Sequence, residues 1–271
     1  MEKIIVGDSL DVLKSLPDES VDCIITSPPY FGLRDYGVNG QIGLEKSLKE
    51  YLDNLLLITA ELKRILKPTG TFWLNHGDSY AGRPSGTSGA NSQLNGGKRH
   101  QNALAKAATA QGRRGGEIPD KSLTLQAHRL AIRMVDEQGW ILRNQIIWHK
   151  PNVMPSSAKD RFTVDFEPVF FFVKSEQYYF EQQKEPVSEI SLKRAEYGFK
   201  TKKANVSGVL SKASMKGIDV EKMGTRFVNP AGRNKRTVWN IPTSGSKHQH
   251  IAMFPERLVE PMILAGSPGG G

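Results

Sequence analysis

The 271-residue chain is 38% hydrophobic, enough for one substantial core with room for insertions. A single cysteine, Cys23, excludes an internal disulfide framework and fits a reducing compartment, and no run approaches the apolar length of a membrane span. The net charge of +9 concentrates in two blocks: residues 81–116 hold six Lys/Arg and no Asp/Glu, and residues 184–236 hold thirteen against five. An acidic scaffold carrying two basic insertions suits a polyanion, nucleic acid being favoured over the alternative that both blocks are solvated, flexible insertions.

Met1-Glu2-Lys3 leads straight into an apolar run with no signal peptide, and Lys3–Val6 is expected to form a short buried strand ending at Gly7-Asp8-Ser9. Residues 9–16 carry apolar positions at 10, 12, 13 and 16, a helical spacing. Val21–Ile25 is the next apolar strand. Thr26-Ser27-Pro28-Pro29-Tyr30 follows it directly, and Phe31–Gly40 is a Gly-rich loop. Ser47–Leu66 shows the clearest helical periodicity, stopped by Lys67-Pro68, after which Thr69-Gly70 turns into a strand over Thr71–Asn75. Residues 81–119 read as a flexible loop. Leu123–Gln138 is expected as a helix ended by Gly139. Trp140–His149 and Glu167–Val173 are expected as an antiparallel pair of strands at one sheet edge. After the second basic block, Thr237–Ile241 is expected as a short strand and Phe254–Leu264 as a helix opened by Pro255. The β/α alternation predicts an α/β, doubly wound sheet, whose ligands lie beyond the carboxyl ends of its strands. Asp8, Thr26–Tyr30 and Asn75–Asp78 all fall at such ends.

Pro28 and Pro29 fix φ twice and remove two donors, so their carbonyls are free to face a ligand. The Ser27 hydroxyl and the Pro28 carbonyl can accept from an exocyclic amine while Tyr30 stacks on the ring that bears it. Such a pocket suits a nucleobase that has left its stack. The same tetrapeptide also serves as an ordinary loop after a strand. Cys23 lies inside a strand, in the position of a core residue rather than a nucleophile, and no metal-ligand spacing occurs.

GDSLDVLKSLPDESVDCIITSPPY, LKPTGTFWLNHGDS, GWILRNQIIWHKPN and HIAMFPERL, in this order, resemble the DNA amino-methyltransferases of the permuted class, in which the catalytic motif precedes the cofactor loop. The resemblance covers most of the chain. It implies a Rossmann-like methyltransferase core over residues 1–183, a target-recognition insertion over 184–236, and a return to the core over 237–271. It implies methyl transfer from S-adenosylmethionine to a flipped base in double-stranded DNA, with Ser27, Pro28, Pro29 and Tyr30 catalytic. Asp8 and Ser9 would approach the adenine end of the cofactor, with His250, Phe254 and Pro255 at its methionine end; His250 can equally be a loop residue. Arg34, Tyr36, Arg113, Arg114, Lys202, Lys203, Arg226, Arg233 and Arg236 would contact DNA. Serine at position 27 resembles the cytosine-N4 enzymes more than the adenine-N6 enzymes, which remain the alternative. The setting implied is a bacterial or phage-encoded cytoplasmic enzyme beside a cognate restriction endonuclease.

The chain departs from that family in one respect. The Phe-x-Gly-x-Gly loop expected after HIAMFPERL does not occur before Gly271, so the sheet is expected to be incomplete at the C-terminus. A truncated chain, or one half of a split enzyme, follows as an expectation, and a DNA-binding fragment without catalysis is the alternative from another class. Methylation of RNA or of a protein glutamine is a third reading, disfavoured by Ser27.

Overall fold

A computed structural model describes residues 4–81, 118–190, 192–193, 232–244 and 253–270. The charged positions Arg113, Arg114, Lys202, Lys203 and Arg226, together with His250, lie outside them. In chain order the elements are α1 (Ser9–Ser15), β1 (Val21–Thr26), α2 (Leu48–Ile65), β2 (Leu66–Asn75), α3 (Gln126–Gln138), β3 (Ile141–His149), β4 (Phe166–Val173), β5 (Lys184–Glu185), β6 (Arg233–Asn234), β7 (Val238–Asn240) and α4 (Glu256–Gly266). They fall into two compact units, residues 1–181 with 237–271, and residues 182–236. The second unit contains the β5–β6 antiparallel pair. No helix among the described residues is long and apolar enough to cross a membrane.

The first unit is built on a five-stranded sheet in the order β1-β2-β4-β3-β7. β1 runs parallel to β2, and β7 parallel to β3, while β4 is antiparallel to both of its neighbours. The expected β3–β4 pair therefore forms, but not as an edge: β4 is the central strand. Its sequence explains why. Phe166–Val173 is buried on both faces from Pro168 onward, which an edge position would not require. Phe170 and Phe172 face a core made with α2 and α3, whereas Val169, Phe171 and Val173 face one that includes Leu258 and Met262 of α4. Period-two alternation divides one apolar run between two cores.

Two other expectations are corrected. Lys3–Val6 is not a strand where it is described: Ile4 and Val6 are 91% and 92% exposed, and among the described residues β1 pairs only with β2. An apolar run without a neighbouring strand has no ladder partner, and its exposed backbone is left to water. The predicted break at Lys67–Gly70 is instead part of β2, which pairs Leu66 with Val21, shifts register, and resumes with Thr71 opposite Cys23.

α2 begins at Ser47, whose hydroxyl accepts from Glu50 N at 3.1 Å, and its apolar face buries Tyr51, Leu52, Leu55, Leu62 and Ile65. α4 approaches the opposite face closely at Gly266, whose carbonyl accepts from Thr71 Oγ1 at 2.8 Å. A Cβ at Gly266 would lie 2.3 Å from Thr71 Oγ1 and 2.6 Å from Trp73 Nε1. Gly266→Ala is therefore expected to push α4 off the sheet and cost about 1–3 kcal/mol, read as a lower urea midpoint with the denaturant slope unchanged.

Candidate active site

Four chain segments meet at one rim of the first unit. β1 and β2 deliver their carboxyl ends there, Thr26 lying opposite Leu74. Because β4 is antiparallel, its amino end reaches the same rim, with Phe166 opposite His149 at the end of β3. Ser27–Tyr30, Asn75–Asp78, His149–Lys150 and Glu167 are thereby gathered from the ends of four strands.

Tyr30 is the centre of the cluster. Its ring stacks on His76, with centroids 4.9 Å apart and planes 10° from parallel. Its hydroxyl donates to Glu167 Oε2 at 2.9 Å and lies 3.4 Å from Ser27 Oγ. Asn75 Nδ2 donates to the same Glu167 oxygen at 3.2 Å, and Lys150 Nζ pairs with the other. Lys150 Nζ also sits 4.3 Å from the centroid of the Trp148 ring. Burial, reinforced by the Glu167 charge, pushes the Tyr30 phenol far above its ordinary range, so it stays protonated.

His76 is completely buried, and burial lowers its pKa to about 4 against the opposing pull of Gly77 O, Asp78 and Glu167. The neutral ring presents Nδ1 to Gly77 O at 2.7 Å and Nε2 to Tyr51 Oη at 2.8 Å. Tyr51 Oη is also 2.8 Å from Pro29 O, so the hydroxyl lies between the motif's second proline and the base of the stack, with one proton to give either to Pro29 O or to the His76 Nε2 lone pair. Pro29 O lies against that hydroxyl, whereas Pro28 O has no hydrogen-bond partner among the described residues. Asp78 has a structural role: it accepts from Thr124 Oγ1 at 2.6 Å and from Leu125 N at 3.0 Å, holding the start of α3. Burial pushes the Cys23 thiol up, the opposite of an activated nucleophile.

The remaining candidates are more dispersed. Asp8 caps α1, with Oδ1 accepting from Leu10 N at 2.9 Å and Asp11 N at 3.3 Å. Ser9 opens that helix. Pro255 is the N-cap residue of α4, and Phe254 lines a cleft of about 410 Å³ with Val259 and Ile263. Arg34 O accepts from Gln41 Nε2 at 3.0 Å, and Tyr36 N donates to Gln41 Oε1 at 2.6 Å, so Gln41 braces the loop that carries both residues. In the second unit Arg233 and Arg236 both pair with Glu185, at 2.9 and 2.7 Å.

Sequence reasoning did not single out Tyr51, His76, Gly77, Lys150 or Glu167 as site residues. His76 and Gly77 fall inside the Asn75–Asp78 rim segment, and Lys150 within the HKPN motif, but the sequence held no signal for Glu167 beyond its place before an apolar run.

A sequence model of the DNA methylase family matches residues 21–271. The Type II methyltransferase M.Cfr9I of Citrobacter freundii is 39% identical over 97% of the chain and 72% of its own length. The Type II methyltransferase M.SmaI of Serratia marcescens is 34% identical over 99% of the chain and 76% of its own length. Among solved structures, the PvuII DNA methyltransferase (cytosine-N4-specific) shares the fold, with a TM-score of 0.54 at 20% identity, over 97% of the chain and 69% of that structure.

Proposed function

The chain belongs to the DNA methylase family, and from that premise we propose that its pocket methylates the exocyclic amine of a base turned out of duplex DNA, with cytosine N4 as the target. The observation that carries the proposal is the pairing of two free acceptors with a rigid aromatic platform. Ser27 Oγ, 3.4 Å from Tyr30 Oη, and Pro28 O, which has no partner among the described residues, are the acceptors for the amine, and Tyr30 is fixed beside them by His76 and Glu167. An amine conjugated to its ring is a poor nucleophile because its lone pair is delocalised. Acceptors on its N–H groups draw the nitrogen toward tetrahedral geometry and stabilise the positive charge that develops there. The residues present supply positioning and electrostatics without a covalent intermediate, in keeping with the inert Cys23.

S-adenosylmethionine, when bound, supplies an electrophilic sulfonium methyl. Asp8 and Phe254 fit such a ligand. Asp8 is exposed and spends only Oδ1 on its own helix, leaving Oδ2 for a ligand hydroxyl or amine, while Phe254 offers an apolar face at a cleft. Double-stranded DNA is the partner, approached by the basic segments and by the loop carrying Arg34 and Tyr36. Arg233 and Arg236, sharing Glu185, would contribute less free charge than their number implies.

Mass spectrometry of DNA from cells expressing the gene tests the target, with N4-methylcytosine expected and N6-methyladenine the outcome that would reassign it. Ser27→Ala is expected to lower the single-turnover rate about 10- to 100-fold with DNA affinity retained. Full activity in that variant would remove Ser27 from the mechanism.

A further inference from the structure

We infer that Glu167 sets the hydrogen-bond polarity of the pocket, and thereby makes it a site for an amine-bearing base rather than a carbonyl-bearing one. The inference rests on the reading of Ser27 as the amine's acceptor and adds the residue that makes it one. Ser27 Oγ, Tyr30 Oη and Glu167 Oε2 form a row, with steps of 3.4 and 2.9 Å. A carboxylate can only accept, so the single hydroxyl proton of Tyr30 is directed to Glu167. The Tyr30 oxygen is then left with lone pairs, and where the two hydroxyls meet Ser27 must donate. Ser27 also has a single proton. Toward the pocket it presents lone pairs alone.

Pro28 O is likewise an acceptor that cannot donate. The pocket therefore offers two acceptors to the group at the base's ring edge. An amine satisfies both. A carbonyl oxygen at the same position meets only lone pairs and goes into the site unpaired, which is the costly case for a buried polar group. The longer of the two steps, between Ser27 and Tyr30, strengthens when an amine polarises the Ser27 hydroxyl, because linked hydrogen bonds reinforce one another. Glu167 can hold this role because its charge is fixed in place. Lys150 pairs with Oε1, and Asn75 Nδ2 donates to Oε2 at 3.2 Å.

Glu167→Gln is the informative variant. The Lys150 ammonium would hold the new amide by its oxygen, so the amide nitrogen would turn to Tyr30 and donate, and Asn75 Nδ2, no longer accepted there, would keep its bond to Pro168 O at 3.3 Å. Every proton in the row then reverses, and Ser27 becomes a donor toward the pocket. The test begins with single-turnover transfer of labelled methyl to plasmid DNA from a methylation-deficient host, and sequencing locates the modified base. Duplexes are then made with the amine base at that position or with its carbonyl counterpart: cytosine against uracil, or adenine against hypoxanthine.

Glu167→Gln is expected to lower the methyl-transfer rate about 10- to 100-fold with the affinity for an abasic duplex unchanged and a cooperative thermal transition retained, at a midpoint lowered by the lost charge partner of Lys150. The wild-type preference for the amine duplex should fall by about tenfold or more in the same variant. Tyr30→Phe removes the middle of the row, and combining it with Glu167→Gln should cost no more than the larger single loss, since both break one chain. A Glu167→Gln rate within about twofold of wild type, losses that multiply, or an intact amine preference would each overturn the inference. If the wild-type protein methylates no base amine, the reading of the pocket fails, yet the polarity is still tested. The Tyr30 hydroxyl proton should resonate at low field in the wild type and shift in Glu167→Gln, and its absence from the wild type would overturn the inference independently.

Discussion

Gly77→Ala should cost the protein most of its methyl transfer, about 100-fold or more, while leaving the fold and the affinity for DNA in place. A Cβ on Gly77 would lie 2.6 Å from Tyr30 Cε2, 3.2 Å from Tyr30 Cζ and 3.2 Å from the Glu167 carboxyl carbon. Ordinary contact begins nearly 1 Å farther out, so the Tyr30 ring must move. It cannot swing freely. His76 covers one face, Glu167 holds the hydroxyl, and Tyr51 fixes Pro29 just before it in the chain. The displacement therefore carries the ring away from the parallel stack and from Ser27 together. A shift of that size in a positioning group far exceeds what a near-attack geometry tolerates. Single-turnover transfer to plasmid DNA, with affinity measured in parallel, checks the prediction. A variant that keeps its rate within a few-fold of wild type would show that the Tyr30 ring does not position the base.

Much of this site could be anticipated from the residues, and the part that could not has a common cause. Thr26–Tyr30 follows an apolar strand with two prolines, and a strand end is where a doubly wound sheet binds its ligands, so its place on the rim is a local inference. The periodicity of Ser47–Leu66 likewise anticipates α2, which the structure bounds at Leu48–Ile65. Glu167 is different. It joins Tyr30 across 137 residues of sequence, and it reaches the rim only because β4 is inserted antiparallel between β2 and β3. Sequence adjacency predicts the β3–β4 hairpin but not which side of it meets β2. The same gap explains Lys3–Val6. Its composition is that of a strand, but whether an apolar run becomes one depends on a neighbour to share its hydrogen bonds. Gly77 carries no turn signal at all; its lack of a side chain matters only because Tyr30 lies against it.

Acid should destabilise the protein through His76 before it affects the exposed carboxylates. The His76 pKa is held at about 4 in the folded state against an ordinary 6.5. Between those values the unfolded chain binds a proton that the folded protein refuses. Stability is therefore full above pH 6.5 and declines as the pH falls, with the whole loss reached near pH 4. The difference corresponds to about 3 kcal/mol at its limit. Urea midpoints across that range, compared with those of His76→Gln, isolate the contribution. Glutamine keeps one donor and one acceptor for Gly77 O and Tyr51 but does not titrate, so its stability should slope less with pH. Equal slopes in the two proteins would show that His76 titrates alike in the folded and unfolded states. Catalysis by the folded protein should be lost only as the pH approaches the folded-state value of about 4. An imidazolium stacked beneath Tyr30 would place a positive charge behind the very ring that is to carry a base whose amine becomes positive as it is methylated. Keeping His76 neutral by burial lets the platform be aromatic, rigid and uncharged at once.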